Sequence, residues 1–342
     1  MTAFLARFNR NRCARGLRKF VPISAAFGMI GFGAFGVRYA WAQQNQNFEN
    51  MQVHLLPVQG NVTMLVGAGG NITVQAGKEG VLLVDAGFPQ MAQKVLAAIK
   101  TISDRPIRYI VNTHVHADHT GGNEVISKAG SIIAGGNFAG ATPDIGSTAV
   151  IIAHERVQQR MAEQTSPKLS DDMLPRDTYF TPTKELFFNG EAIQIIHIPD
   201  AHTDGDSIVF FRRSDVVSAG DIFTPTGYPV VDIERGGNIN GLIAGLNRII
   251  DITIPADKQE GGTYVIPGHG RLCDEADVVE YRDMATIIRD RVQDMVKKGM
   301  TLEQVRAAKP TRDYDPLYGS TTGFWTTDKF VDAVYASLAP KK

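Results

Sequence analysis

Four potential metal ligands fall within six residues, His114-x-His116-x-Asp118-His119, and this cluster constrains the 342-residue chain more than any other feature. Four donors so close together cannot complete two coordination shells, so distant segments must return to the same place. The apolar run at 107–112 precedes the cluster, and alternation puts His114 and His116 on one side of an extended segment. A turn then lets Asp118 and His119 approach from the start of a helix, with Gly121 and Gly122 allowing close backbone approach. Three further donors each follow a strand-like run: His202 after 192–198, Asp221 after 216–219 and His269 after 263–266. Strand ends are where open-sheet proteins place their chemistry. A lone histidine is more often structural, but an ordered set of this size reads as a metal or catalytic site. Neutral imidazole with carboxylate suits zinc, and also iron or manganese.

The rest of the pattern supplies strands and helices in two similar halves. Short β-type runs at 53–58, 61–66, 71–76 and 80–85 are separated by glycine turns. A helix follows at 90–102, with Ala92, Val95, Leu96 and Ile99 on one face. The second half opens with runs at 185–188, 192–198, 207–212 and 216–219. Helices are expected around 240–250 and at 275–298, 302–308 and 328–337. Two sheets packed face to face with helices outside would bury such runs. The stretch 163–183 has three prolines and no periodicity, and so becomes the candidate for a lid. The loop 223–240 is the second place where specificity is expected.

Charge separates the N-terminus from the remainder. Residues 1–42 carry seven basic side chains and no acidic ones; removing those seven from 35 Lys and Arg leaves 28 against 36 Asp and Glu. A mature chain of about −8 disfavours nucleic acid and other polyanions. The basic stretch through Lys19, the apolar run 21–37 and Ala40-Trp41-Ala42 form an export-signal pattern. The expectation is a cleaved signal at 1–42, a single domain at 43–342 and a periplasmic or secreted protein with no stable membrane association. An uncleaved anchor is the alternative, since about seventeen residues sit at the lower edge of a membrane span. Cys13 lies in that signal, leaving Cys273 alone as a buried small hydrophobe.

The ordered motifs His-x-His-x-Asp-His, the later His202, Gly220-Asp221 and Gly268-His269 resemble the metallo-β-lactamase superfamily, over nearly all of 51–273. The resemblance implies an α/β fold, the four-layer αβ/βα sandwich with its metals at one edge of the two sheets. It implies a first metal on His114, His116 and His202, a second on Asp118, His119 and His269, and Asp221 bridging both. It also matches Asp85, in Leu82-Leu-Val-Asp85, to a buried carboxylate that orients a ligand histidine. Two zinc ions per chain would then activate a shared hydroxide to cleave a small amide, ester, lactone or thioester, with β-lactams among the candidates. Asp118, the catalytic candidate, would orient the nucleophile or return a proton.

Departures from the pattern narrow this. Antibiotic-degrading members usually carry Cys or Ser at the position of Asp221, which makes the chain more similar to the glyoxalase II, lactonase and phosphodiesterase branches. Asp204 stands where many members have proline and is expected to shape a turn. An iron persulfide dioxygenase of the same fold would use two histidines and one aspartate, leaving several donors redundant. A non-catalytic periplasmic partner of a redox system is the third reading, but closed structural zinc sites are rich in cysteine. His54, His154 and His197 are expected to be structural or solvated. Tyr179, Phe180, Phe223 and Tyr228 flank the motifs as candidate pocket lining for a small-molecule substrate. Nothing in the sequence marks an oligomeric state.

Overall fold

The computed structural model describes residues 48–131, 148–165 and 167–340, all within one unit, Asn47–Lys342. The first sheet runs in sequence order: β1 (His54–Gln59), β2 (Val62–Val66), β3 (Ile72–Gly77), β4 (Gly80–Val84), β5 (Ile107–Val111), β6 (Val150–His154) and β7 (Asp177–Tyr179). Strands β1 to β4 pair antiparallel, and β4 to β7 pair parallel. The second sheet contains β8 (Thr183–Phe188), β9 (Glu191–His197), β10 (Ser207–Phe211), β11 (Val216–Ser218) and β12 (Tyr264–Ile266), ordered β12-β11-β10-β9-β8. Only β11 and β12 are parallel within it.

Every residue of β4 is buried, and its alternation explains the layering. Val81 and Leu83 face one way, into a cluster with Val95 and Ile99 of helix α1 (Ala92–Lys100). The short α2 (Ala117–Thr120) and then α3 (Asn123–Ala129) follow β5, and Ile126 of α3 joins the same cluster. Leu82 and Val84 face the other way and pack with Ile193, Ile195, Val209 and Phe211 of the second sheet. Truncating one of these fully buried side chains, such as Leu82→Ala, would cost about 2–5 kcal/mol through lost burial and the cavity left behind.

Helix α4 (Glu155–Glu163) follows β6 and packs Val157 and Met161 against Ala153. The outer face of the second sheet is covered by α5 (Ile239–Ile252) and α6 (Glu275–Lys297). The chain continues through α7 (Leu302–Ala308), α8 (Asp315–Tyr318) and α9 (Thr327–Leu338), whose Phe330 and Val334 complete that layer. Asp274 and Asp277 form a reciprocal capping box that starts α6 abruptly after the last strand. The layers are therefore helix, sheet, sheet, helix, the expected αβ/βα sandwich.

The reading of 163–183 needs correction. Instead of an irregular loop it contains β7, which extends the first sheet. Leu169, Met173 and Leu174 pack against Val115, Ala153, Val157 and Met161. Asn123 Nδ2 donates to Met173 O at 2.9 Å, pinning the segment to α3. Strand β6 was also not anticipated. The expected signal and cleavage pattern at 1–42 lie outside the described residues. Among the described residues, no helix is long and apolar enough to cross a membrane.

Candidate metal centre

All seven predicted donors meet at one end of the two sheets. His114, His116, Asp118 and His119 follow β5; His202 follows β9, Asp221 follows β11 and His269 follows β12. They form two groups whose ligand atoms lie within 4.8 Å of one another: His114, His116, His202 and Asp221 in one, Asp118, His119 and His269 in the other. These are the groups that could hold a metal ion.

Asp85 sets half of the geometry. It ends β4 in the left-handed backbone region, φ 69°, a conformation that costs a non-glycine residue about 1–3 kcal/mol and that the surroundings must enforce. Its buried carboxylate accepts from Thr113 N at 2.7 Å, Thr113 Oγ1 at 2.8 Å and His119 Nδ1 at 2.7 Å. A carboxylate flanked by these donors can only accept, so the proton of His119 sits on Nδ1 and its Nε2 faces the site. Because Thr113 Oγ1 gives its hydrogen to Asp85, it accepts from His114 Nδ1 at 3.0 Å. His114 therefore also turns Nε2 inward. One aspartate thus fixes two imidazoles, directly and through a threonine.

Asp232 performs the same service on the opposite side. Its Oδ2 accepts from His116 Nε2 at 2.9 Å and from Arg235 at 2.8 Å, while Oδ1 accepts Arg235 N at 3.1 Å. Burial opposes the charge, but His116 and Arg235 hold the Asp232 carboxyl well below the usual carboxylate range. His116 must then face the site with Nδ1. His202 donates from Nδ1 to Val230 O at 2.7 Å and presents Nε2, which lies 2.8 Å from His116 Nδ1. Two unshared electron pairs at that distance repel unless a positive species stands between them.

Other observations fit the same demand for a cation. His114 Nε2 and Asp221 Oδ1 are buried without a hydrogen-bond partner, although Asp221 Oδ1 lies 3.2 Å from His119 Nε2. Orphaned buried polar atoms are costly and call for an explanation. Burial opposes a proton on His119, yet the charges of Asp221, Asp85 and Asp118 raise its pKa well above that of an ordinary imidazole. Burial raises Asp221, but His269 and His119 outweigh it and keep the carboxyl well below its normal range. Burial likewise works against Asp118, and His119 with the His269 hydrogen bond brings it down to about 2. His114 is lowered by burial and by His119, so it stays neutral. His114 and the two carboxylates are thus in the forms that ligate divalent metals, while the raised His119 reflects the pull of those carboxylates for a positive charge.

The site opens on one side. The side chains of His114, His119 and His202 are at most 1% exposed, whereas Asp118 is 19% and His269 32% exposed. Two glycines permit the packing behind them: a methyl group on Gly70 would strike the His119 ring, and one on Gly268 the Asp221 carboxylate. Gly121 and Gly122 instead pack against Pro89 and Ala86.

Other expectations divide. Asp204, expected to shape a turn, instead pairs with Arg160 of α4 at 2.9 Å, and the turn is closed by Asp206, which accepts from Thr203 N and Oγ1 at 2.7 Å. His154 and His197 stack with ring centroids 3.6 Å apart, bridging β6 to β9 behind the His202 loop, while His54 is exposed. Tyr179, Phe223 and Tyr228 are buried in the core. Phe180 is exposed. Cys273 is buried, and burial pushes its thiol up to about 12. Asp232 was missed individually, although it lies in the loop 223–240; the one local signal is its role as the cap of the short turn Ile233–Arg235.

Comparison with known proteins agrees with this fold. The sequence profile of the Metallo-beta-lactamase superfamily matches residues 65–269. A linear primary-alkylsulfatase from Pseudomonas sp. (strain ATCC 19151) is 24% identical over 259 residues, covering 66% of this chain and 47% of that protein. Among solved structures, a metallo-β-lactamase from Pontibacter korlensis superposes with TM-score 0.53 at 17% identity, over 69% of this chain and 99% of that one. The stereoselective inverting sec-alkylsulfatase Pisa1 from Pseudomonas sp. gives 0.59 at 15% identity, over 83% of this chain and 50% of that one. The chain thus spans about half the length of the alkylsulfatases it matches.

Proposed function

Since the chain belongs to the metallo-β-lactamase superfamily, we propose that it is a metal-dependent hydrolase holding two divalent cations, with zinc as the proposed metal. The observation that carries this is the orientation of the buried imidazoles. His114, His116, His119 and His202 each have the outer nitrogen bound, to Thr113, Asp232, Asp85 and Val230 O, and the other turned inward. His114, His116 and His202 would hold the first ion, Asp118, His119 and His269 the second, with Asp221 between them.

Paired cations lower the pKa of water and polarise a substrate oxygen. The chain's own residues do the rest. Asp118, at the open side, has Oδ2 within 3.2 Å of His269 Nε2. It can accept a hydrogen from the attacking water and deliver it to the leaving group. Asp85 and Asp232 keep the imidazoles from rotating as charge shifts during the reaction. Asp118 and His269 flank the entrance, while the closed wall at His114 and His202 excludes bulk water from behind.

The substrate class is a small ester, lactone, thioester or amide, β-lactams included. Sulfate esters form a second reading, favoured by the likeness to a linear primary-alkylsulfatase. Elemental mass spectrometry of the purified protein tests the metal assignment first. About two zinc per chain is the expected result; about one iron with little zinc would sink the hydrolase and point to oxygen-dependent sulfur chemistry. Turnover of an ester, a lactone, a thioester, a β-lactam and an alkyl sulfate on one sample then separates the substrates.

A further inference from the structure

A groove of about 460 Å³ is lined by Pro225, Thr226, Tyr281, Leu317 and Tyr318 together with three charged side chains. Much of it is built from beyond residue 269, where the match to the superfamily ends. Its Pro225 and Thr226 lie against Gly270, the residue that follows the donor His269. A methyl group on Gly270 would meet Thr226 Cγ2 at 2.8 Å, and Gly270 follows His269, whose side chain is open to solvent. Tyr281 packs edge-on against Phe223, two residues past Asp221, and donates to Gly227 O at 3.0 Å.

The walls mix apolar and charged side chains, and the charge is one-sided. Leu317 is 64% exposed, an uncovered aliphatic surface. Arg271 is matched: its guanidinium pairs with the Asp277 carboxylate and also donates to Leu272 O at 3.0 Å. Glu280, three residues after Asp277 on α6, forms no ion pair among the described residues and leaves the groove with a net negative charge. The Tyr318 phenol registers that field, since burial and then the carboxylates of Glu280 and Asp277 raise its pKa. An aromatic face beside an unmatched carboxylate attracts a weakly hydrated cation.

We infer that this groove binds the non-reacting part of the substrate, an apolar segment carrying an ammonium group, between Glu280 and the Tyr318 ring. The inference rests on the hydrolase reading for its placement, but binding can be measured without turnover. The probes are choline and 3,3-dimethylbutan-1-ol, which share a shape and differ in charge, titrated into the full-length protein by ligand-observed NMR. Choline should bind about five- to tenfold more tightly, the range a cation gains from an aromatic face and a nearby carboxylate. Glu280→Gln should remove that preference while metal content and circular dichroism stay as in the wild type. Tyr318→Leu should reduce it.

Equal affinity for the two probes, or no binding of either at tens of millimolar, would overturn the groove. The acetate esters of the same alcohols separate this from the wider reading. Hydrolysis of both esters at equal kcat/KM, with no selective binding, leaves the hydrolase and removes the groove. Selective choline binding that depends on Glu280, with no ester cleaved, keeps the groove and counts against ester hydrolysis.

Discussion

The two donor groups are built to different standards. In the group of His114, His116 and His202, all three rings are buried, and each has its outer nitrogen tied to a fixed partner. In the group of Asp118, His119 and His269, only His119 is held that way, by Asp85. Asp118 and His269 reach toward solvent with each other as neighbours at 3.2 Å. A closed, pre-oriented set binds tightly and changes little; an open set can admit substrate and exchange protons. On the proposed function, the difference gives anchoring to the first group and chemistry to the second.

The largest expected effect tests that assignment directly. Asp118→Ala should lower kcat by about 10²- to 10⁴-fold, the range for loss of a positioned proton-transfer group. The first group should keep its ion, and the second, which loses a ligand, should bind its ion more weakly. Near-normal turnover in this variant would refute the role of Asp118. A second experiment sharpens the contrast by metal count. His269→Ala should lose the second ion and retain the first, whereas His202→Ala should lose the first on brief dialysis against a chelator. If both variants lose both ions together, the two groups are one cooperative unit and the comparison fails.

A smaller effect probes the support behind the closed group. Asp232→Asn keeps the shape but weakens the grip on His116, and zinc affinity of the first site should fall by about 10- to 100-fold. Competition with a chromogenic chelator measures it. Asp232→Asn with unaltered affinity would show that His116 is oriented by packing alone.

The smallest effect concerns the His154–His197 stack behind the same loop. Burial, followed by the neighbouring His197, lowers His154 to about 4, and burial also lowers His197. A folded pKa below the unfolded value near 6.5 means that the unfolded chain binds more protons at intermediate pH. Stability from this pair is therefore present above about pH 6.5 and is lost as pH falls toward 4. His154→Asn retains a cap for α4 and removes the titration, so its denaturation midpoint should fall less than that of the wild type between pH 7 and 5. Parallel decline of the two would exclude the stack as a source of acid sensitivity.

The sequence made the donors legible because each is a chemically distinctive residue placed just past an apolar run, and strand ends bring such residues together. Asp85 was readable only through the resemblance, since its position after β4 by itself suggests a turn residue. Asp232 was not, since its role depends on meeting His116, 116 positions away, through a turn whose residues carry no periodicity. Strand β6 escaped because Val150–His154 is a short apolar run buried on most of its length, which periodicity alone does not separate from a helix start. Strand β7, three residues long, carries too little pattern to register. Tyr179 shows the converse error: an aromatic beside a motif invites a pocket, but its hydroxyl meets Ser207 at 2.6 Å between the sheets.

The donors come from both sheets, with Asp118 and His119 carried by the first and His202, Asp221 and His269 by the second. An ion shared between them is consequently a staple as well as a reagent. A ligand that binds the folded chain and not the unfolded one adds about 2.7 kcal/mol when present at a hundred times its dissociation constant. The stability of the fold would then follow the supply of metal around it.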